Sequence, residues 1–186
     1  MNELEREVLK SSLRSDLERT IDARVDRYQS VMHQPILAHH HFAHASTECL
    51  HLYRDGYFHS CITVTQAVGE GIVTFVAQRN GISLLAKESK QELARRMKDN
   101  GIVSADLVAA FERLQRSYRN DFHHMNPPVA GVDLNEVGKA NICDLAIIER
   151  EIFGYDFGPE GTLVPKNRRY WDIAGDGDVP VLVRLA

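Results

Sequence analysis

The sequence is short of cysteine, has a single tryptophan, leans to neither sign of charge and holds no long apolar run. Each shortage removes a class of protein. Cys49, Cys61 and Cys143 are odd in number and scattered, so they make neither a disulfide framework nor a Cys-x-x-Cys pair, and a reducing compartment is expected. With 22 basic and 26 acidic residues the net charge is −4, which is not the footprint of a protein that coats nucleic acid. Any nucleic-acid contact must therefore come from a local patch. The least polar stretch, Ser60 to Gln78, carries Glu70 at its centre, too polar for the roughly 20 apolar residues of a membrane span. Met1 to Lys10 alternates acids and bases and does not read as a signal peptide. A soluble, cytoplasmic chain with no membrane partner is expected. At 44% hydrophobic and 26% charged, its 186 residues have the composition of an ordinary globular domain.

What is present is mostly helical periodicity. Leu4, Val8, Leu13, Leu17, Ile21, Val25, Tyr28 and Met32 recur every three to five residues, which predicts one long amphipathic helix over residues 1–33. Pro35 breaks it. Further helices are predicted over 36–53, 57–79 and 83–98, the last closed by Asn100-Gly101. Ser104 reads as the N-cap of a helix that runs through Tyr118 and stops near Met125, because Pro127 disfavours helix at Asn126. Asp133 with Glu136 suits a capping box for a helix that ends at Gly154. Beyond it, Gly, Pro and aromatic residues dominate until the apolar run Val179 to Leu185. The expected fold is all-α: an antiparallel bundle of five to six helices over 1–153, with residues 154–186 as a small β-hairpin or extended appendage packed on it.

The densest chemistry lies in Arg119-Asn120-Asp121-Phe122-His123-His124. On one helix Asn120 and His124 share a face, and Arg119 and His123 share its neighbour. An imidazole takes or gives a proton near neutral pH, and a guanidinium fork matches phosphate oxygens and the charge that grows on them. The set suits transfer at a phosphodiester. The plainer alternative is a helix C-terminus carrying solvated polar groups, where histidine is favoured by the dipole. From Lys87 to Arg119 eight bases stand against five acids, +3 inside a −4 chain, and Arg113 and Arg116 fall within it as candidate RNA contacts.

Arg119, a polar Asn120, three more residues and His124 resemble the Arg-x4-His signature of the HEPN superfamily. The likeness extends to the segment Cys49 to Cys61, where a leucine, a tyrosine and a glycine-aromatic turn lead into an apolar helix containing an acid, here Glu70. It covers roughly residues 36–153. The resemblance implies a metal-independent endoribonuclease that needs no cofactor. In it the RNA 2′-hydroxyl attacks the adjacent phosphate to leave a 2′,3′-cyclic phosphate. His124 would move the proton, Arg119 would neutralise the phosphate and Asn120 would position it, with Glu70 and His123 in support. A homodimer with both motifs in one cleft is implied, as are roles in phage defence or as a toxin held by a nucleotidyltransferase-like antitoxin partner. Other members are non-catalytic modules that bind nucleotide, RNA or protein, and that is the alternative reading. His123 departs from the pattern, since it stands one residue short of the usual spacing from Arg119.

His40 and His44 have the i, i+4 spacing of paired metal ligands, but His41 stands where a zinc protease has its Glu, and a plain polar helix start is the better reading. Asp172 to Asp178 fails as a calcium loop, with Ala174 at the third position and Val183 at the twelfth. Tyr170 and Trp171 are expected to anchor the tail on the core rather than stack on bases.

Overall fold

A computed structural model describes residues 2–124, 126–175 and 177–184, without the side chains of Arg119 and His123. Met125, the expected helix stop, Asp176 in the Gly-Asp-Gly-Asp turn and Leu185 in the last apolar run lie outside the described residues. The described chain is an all-α bundle: α1 (Glu3–Gln29), α2 (Ala43–Asp55), α3 (Phe58–Arg79), α4 (Lys90–Asp99), α5 (Ala105–Arg116), the six-residue α6 (Arg119–His124) and α7 (Leu134–Phe153). Four three-residue strands join it: β1 (Ile36–Ala38), β2 (Tyr155–Phe157), β3 (Leu163–Pro165) and β4 (Val181–Val183).

Local chemistry sets most boundaries. Asn2 and Glu5 form a reciprocal capping box at α1, and Ser89 with Glu92 does the same at α4. The Ser104 side chain accepts from the Leu107 N–H, and Asp133 accepts from the amides of Asn135 and Glu136. Gly56, at φ +86°, ends α2 in the left-handed conformation that only glycine adopts freely.

The core is built around α3, which packs against α2, α5 and α7. At Gly69 a Cβ would stand 2.5 Å from Leu114 Cδ2, so the missing side chain is what lets α5 lie this close. Cys61, Ile62, Val68, Ile72, Val73 and Val76 of α3 are buried with Leu50, Tyr53, Phe111, Leu114, Ile148 and Phe153. Among the described residues α3 alone is long and apolar enough to cross a membrane, and 61% of its most apolar window is packed inside the fold. It is the core helix of this bundle.

Three expectations need correction. The helix expected over 36–53 starts only at Ala43, because residues 36–38 pair antiparallel with the far end of the chain: Ile36 opposite Val183, Leu37 opposite Leu182, Ala38 opposite Val181. The helix expected from Ser83 starts at Lys90, where the Ser89 cap sits. On α1 the apolar residues do not form one face against the core. Their spacing averages four rather than 3.6, so they wind around the helix, and no residue of α1 is buried.

The appendage is bound tightly. β2 and β3 make an antiparallel hairpin, Tyr155 opposite Pro165 and Phe157 opposite Leu163. Tyr170 and Trp171 are buried in the core as expected, and the Tyr170 carbonyl accepts from His40 Nε2 at 2.8 Å. Arg184, just past β4, is buried, and its guanidinium donates to both carboxylate oxygens of Glu149 on α7, at 2.9 and 2.8 Å.

Candidate functional site

The motif stands on a helix of its own. The sequence predicts one helix from Ser104 to about Met125, but α5 stops at Arg116. Ser117 has φ −71° and ψ 68°, and the Tyr118 N–H donates back to the Arg116 carbonyl at 2.7 Å, which is an inverse γ-turn. Tyr118 then takes φ +54°, a left-handed conformation that costs a bulky residue energy unless its surroundings impose it. The agent lies on α3. The buried Gln66 side-chain amide donates to the carbonyls of Leu114 at 3.2 Å and Ser117 at 3.1 Å, and to Ser117 Oγ at 3.0 Å. Those are orphan carbonyls at the end of α5, and their capture replaces the helical ladder.

The chain restarts as α6 when the Phe122 N–H donates to the Tyr118 carbonyl at 2.9 Å. Phe122 is 2% exposed and meets the rings of His59 and Tyr118 edge-on, with centroids 5.4 and 6.1 Å apart. At the other end the Asn126 backbone N–H donates to the Asp121 carbonyl at 2.9 Å, and its side-chain amide donates to Asp121 Oδ1 at 3.0 Å. Pro127 follows and opens a short 3-10 turn. Among the described side chains the buried Phe122 ring and the Asp121–Asn126 clasp hold α6, with Asn120 and His124 exposed.

Asn120, Asp121, Arg116 and Tyr118 line a shallow recess of about 390 Å³ with Gln91 and Gln115. Glu70, one turn beyond Gln66 on α3, lines a recess of about 430 Å³ with His41, Thr74, Gln78 and Lys90. The two recesses have no lining residue in common. His124 lines neither. The roles expected of Arg119 and His123 rest on side chains outside the described set.

The basic stretch is more neutral in space than in sequence. Arg113 grips Asp144 of α7, with Nη2 donating at 2.6 Å and Nε at 3.1 and 3.2 Å. Arg116 and Arg95 both donate to Glu112, at 3.1 and 2.6 Å, and Arg96 donates to Glu88. Arg95 in turn holds the Glu112 carboxyl below its usual pKa. Exposed pairs of this kind add little stability. Their consequence is electrostatic: the two arginines expected to contact RNA already face carboxylates, and Asp144 lies 31 residues from Arg113, out of reach of a local charge count.

The histidine cluster serves the tail. His40 precedes α2, so His40 and His44 do not share a helix. His40 is buried among Phe42, Phe75 and Phe153, with Nε2 donating to the Tyr170 carbonyl and Nδ1 3.5 Å from Asp172 Oδ2. Burial lowers its pKa. Among the described residues no group of three or more His, Cys, Asp or Glu side chains could hold a metal ion. Cys49 and Cys61 are buried, and burial pushes their thiols up, Cys61 to about 12, so neither offers a thiolate nucleophile.

Sequence reasoning missed Gln66 and Tyr118. Nothing local marks either: the break they make has no Gly or Pro, and Gln66 acts across about fifty residues of chain. No protein-family model, no curated protein and no solved structure matches this chain.

Proposed function

We propose that this protein is a metal-independent endoribonuclease of the HEPN kind, with its reactive groups on α6. The observation that carries the reading is the presentation of the Arg119–His124 segment. A γ-turn and a left-handed Tyr118 detach it from α5, the buried Phe122 pins it against His59 at the start of α3, and Asn120 and His124 are exposed. In this reading the 2′-hydroxyl gives its proton to His124 as its oxygen attacks the phosphorus. The 5′-oxygen leaves and takes a proton from His124 of a second copy, and a 2′,3′-cyclic phosphate remains. Arg119 neutralises the phosphate oxygens and Asn120 orients them. Glu70 and His123 support the site. The reaction runs in a homodimer without metal or cofactor, in the cytoplasm, in a toxin or phage-defence setting with a nucleotidyltransferase-like antitoxin as counterpart.

The second reading, a non-catalytic HEPN module that binds nucleotide, RNA or protein, draws on a different observation. With Arg95, Arg96, Arg113 and Arg116 all committed to carboxylates, the face offers RNA less positive charge than its sequence suggests. Incubating end-labelled mixed-sequence RNA with the protein in excess chelator separates the two. Cleavage to 2′,3′-cyclic phosphate ends by the wild type, lost in Arg119→Ala and His124→Ala, is expected. Equal cleavage by wild type and variants overturns the assignment, and no cleavage by any of them transfers it to the binding module.

A further inference from the structure

Resting on the reading of α6 as an RNA site, we propose that the recess beside it is a guanine pocket. Asp121 reads the edge of the base, Tyr118 stacks on its face, and the base belongs to a nucleotide flanking the phosphate that reacts.

The recess of about 390 Å³ is lined by Gln91, Gln115, Arg116, Tyr118, Asn120 and Asp121. Its chemistry suits a base and not a phosphate. The one cation among the lining residues, Arg116, already donates to Glu112 at 3.1 Å, and the Asp121 carboxylate repels a phosphate oxygen. Three primary amides supply donors and acceptors for a base edge, and the tyrosine supplies a ring for its face. Those are the two means by which proteins read single-stranded RNA. Asn120, which orients the phosphate, lines the same recess, so the base taken up there is next to the reacting bond.

The parts are fixed before a ligand arrives. Gln115 is 6% exposed, and its Nε2 donates to the Gln66 backbone carbonyl at 3.2 Å. That bond settles which end of the amide is nitrogen and leaves Oε1 as an acceptor. Asp121 is half-buried, and among the described side chains Asn126 alone donates to it, at Oδ1 and 3.0 Å, which orients the carboxylate and leaves Oδ2. Tyr118 is 43% exposed with its ring edge-on to Phe122. Its φ of +54° is strained for a bulky residue, and such strain is kept where it places a functional side chain.

Asp121 decides which base fits. A carboxylate is best satisfied by two parallel N–H donors. Guanine is the only RNA base with two side by side on its Watson–Crick edge, N1–H and N2–H. Gln115 Oε1 takes the second N2 hydrogen, and the Gln91 amide donates to O6. Uracil sets a carbonyl oxygen beside its single N–H, and adenine and cytosine set a bare ring nitrogen beside their amino group. Each of these turns an acceptor toward Asp121.

Fluorescence anisotropy of the full chain with labelled uridine pentanucleotides tests this. The central base is uracil, cytosine, adenine, guanine or hypoxanthine, and 2′-fluoro groups replace the attacking hydroxyls so that the strands bind without being cut. Guanine is expected to bind about tenfold more tightly than the other three natural bases, the scale of one bidentate base contact. Hypoxanthine, which keeps N1–H and O6 but lacks the N2 amine, is expected to lose most of that preference. Asp121→Asn, which still accepts from Asn126, is expected to bind guanine and hypoxanthine alike. Tyr118→Leu is expected to weaken every strand about tenfold, and Tyr118→Phe to leave them unchanged. Circular dichroism checks each variant, and if Asp121→Asn does not fold, the hypoxanthine comparison on the wild type decides alone. Equal binding of the natural bases overturns the proposal. So do hypoxanthine bound as tightly as guanine, a guanine preference that Asp121→Asn retains, and failure of every strand to bind. A guanine preference without cleavage in the chelator assay keeps the pocket and removes the ribonuclease, whereas cleavage without a base preference does the reverse.

Discussion

Glu149 is a charged side chain left with about 2% of its surface in water, and Arg184 is its equal. Desolvating either alone costs several kcal/mol, so each is tolerable only because the other is there. Ser46 completes the set, donating to Glu149 while accepting from Arg184. Truncating Glu149→Ala strands a buried guanidinium and is expected to cost about 3–5 kcal/mol in urea unfolding. The joint replacement Glu149→Leu/Arg184→Met removes both charges, and its cost should be far smaller than that of the single change. If the two cost the same, the network is not what couples the tail to α7. Neither residue announces itself in the sequence. Glu149 reads as one more charge on an amphipathic helix, and Arg184 as a base near the end of an apolar run, because the information is in their pairing across 35 residues of chain.

At the scale of elements, what was legible followed local rules. Ser104 and Asp133 mark helix starts by chemistry that acts within four residues, and the expected boundaries there hold to a residue or two. What was not legible depends on distant partners. β1 is three residues long and exists only because β4 lies beside it. The break between α5 and α6 exists because Gln66 takes the carbonyls, so the arrangement of the candidate site, as distinct from its residue list, could not be read from the sequence. The same logic gives α6 little stability of its own. It has six residues, far below the length at which helices hold themselves in water, and among its described side chains only Phe122 is buried. Phe122→Ala is therefore expected to release the element before it unfolds the molecule. Hydrogen exchange checks this: amides of α6 should lose protection while those of α3 and α7 keep theirs. Parallel loss in all three would mean that α6 is part of the cooperative core.

At the scale of the whole molecule the tail docks on the segment between α1 and α2: β4 pairs with β1, the His39 N–H donates to the Pro180 carbonyl and the Arg184 N–H to the Pro35 carbonyl, and a half-buried His33 and a buried His40 sit in that seam. Burial lowers the pKa of His40, opposed by its bond to Tyr170 and by Asp172 and aided by Arg79 and His41. His33 is lowered by burial and by Arg184, against a weaker pull from Gln34 and Glu149. In both the charged form is disfavoured in the fold, while the unfolded chain takes up protons near the ordinary 6.5. The unfolded state therefore binds more protons just below that value. The stability these groups contribute is complete above pH 6.5 and is lost as the pH falls through their lower folded values. Because both groups lie at the tail's docking surface, acid should loosen the tail ahead of the bundle. Trp171, the single tryptophan and 3% exposed, reports on that step directly. Lowering the pH from above 7 to about 5.5 is expected to shift its fluorescence to the red while the helical circular dichroism persists. His33→Gln/His40→Gln, which retains an amide donor for the Tyr170 carbonyl, should flatten the response. A tryptophan signal that moves only together with the loss of helix would show that tail and bundle unfold as one unit and that these histidines do not gate the seam.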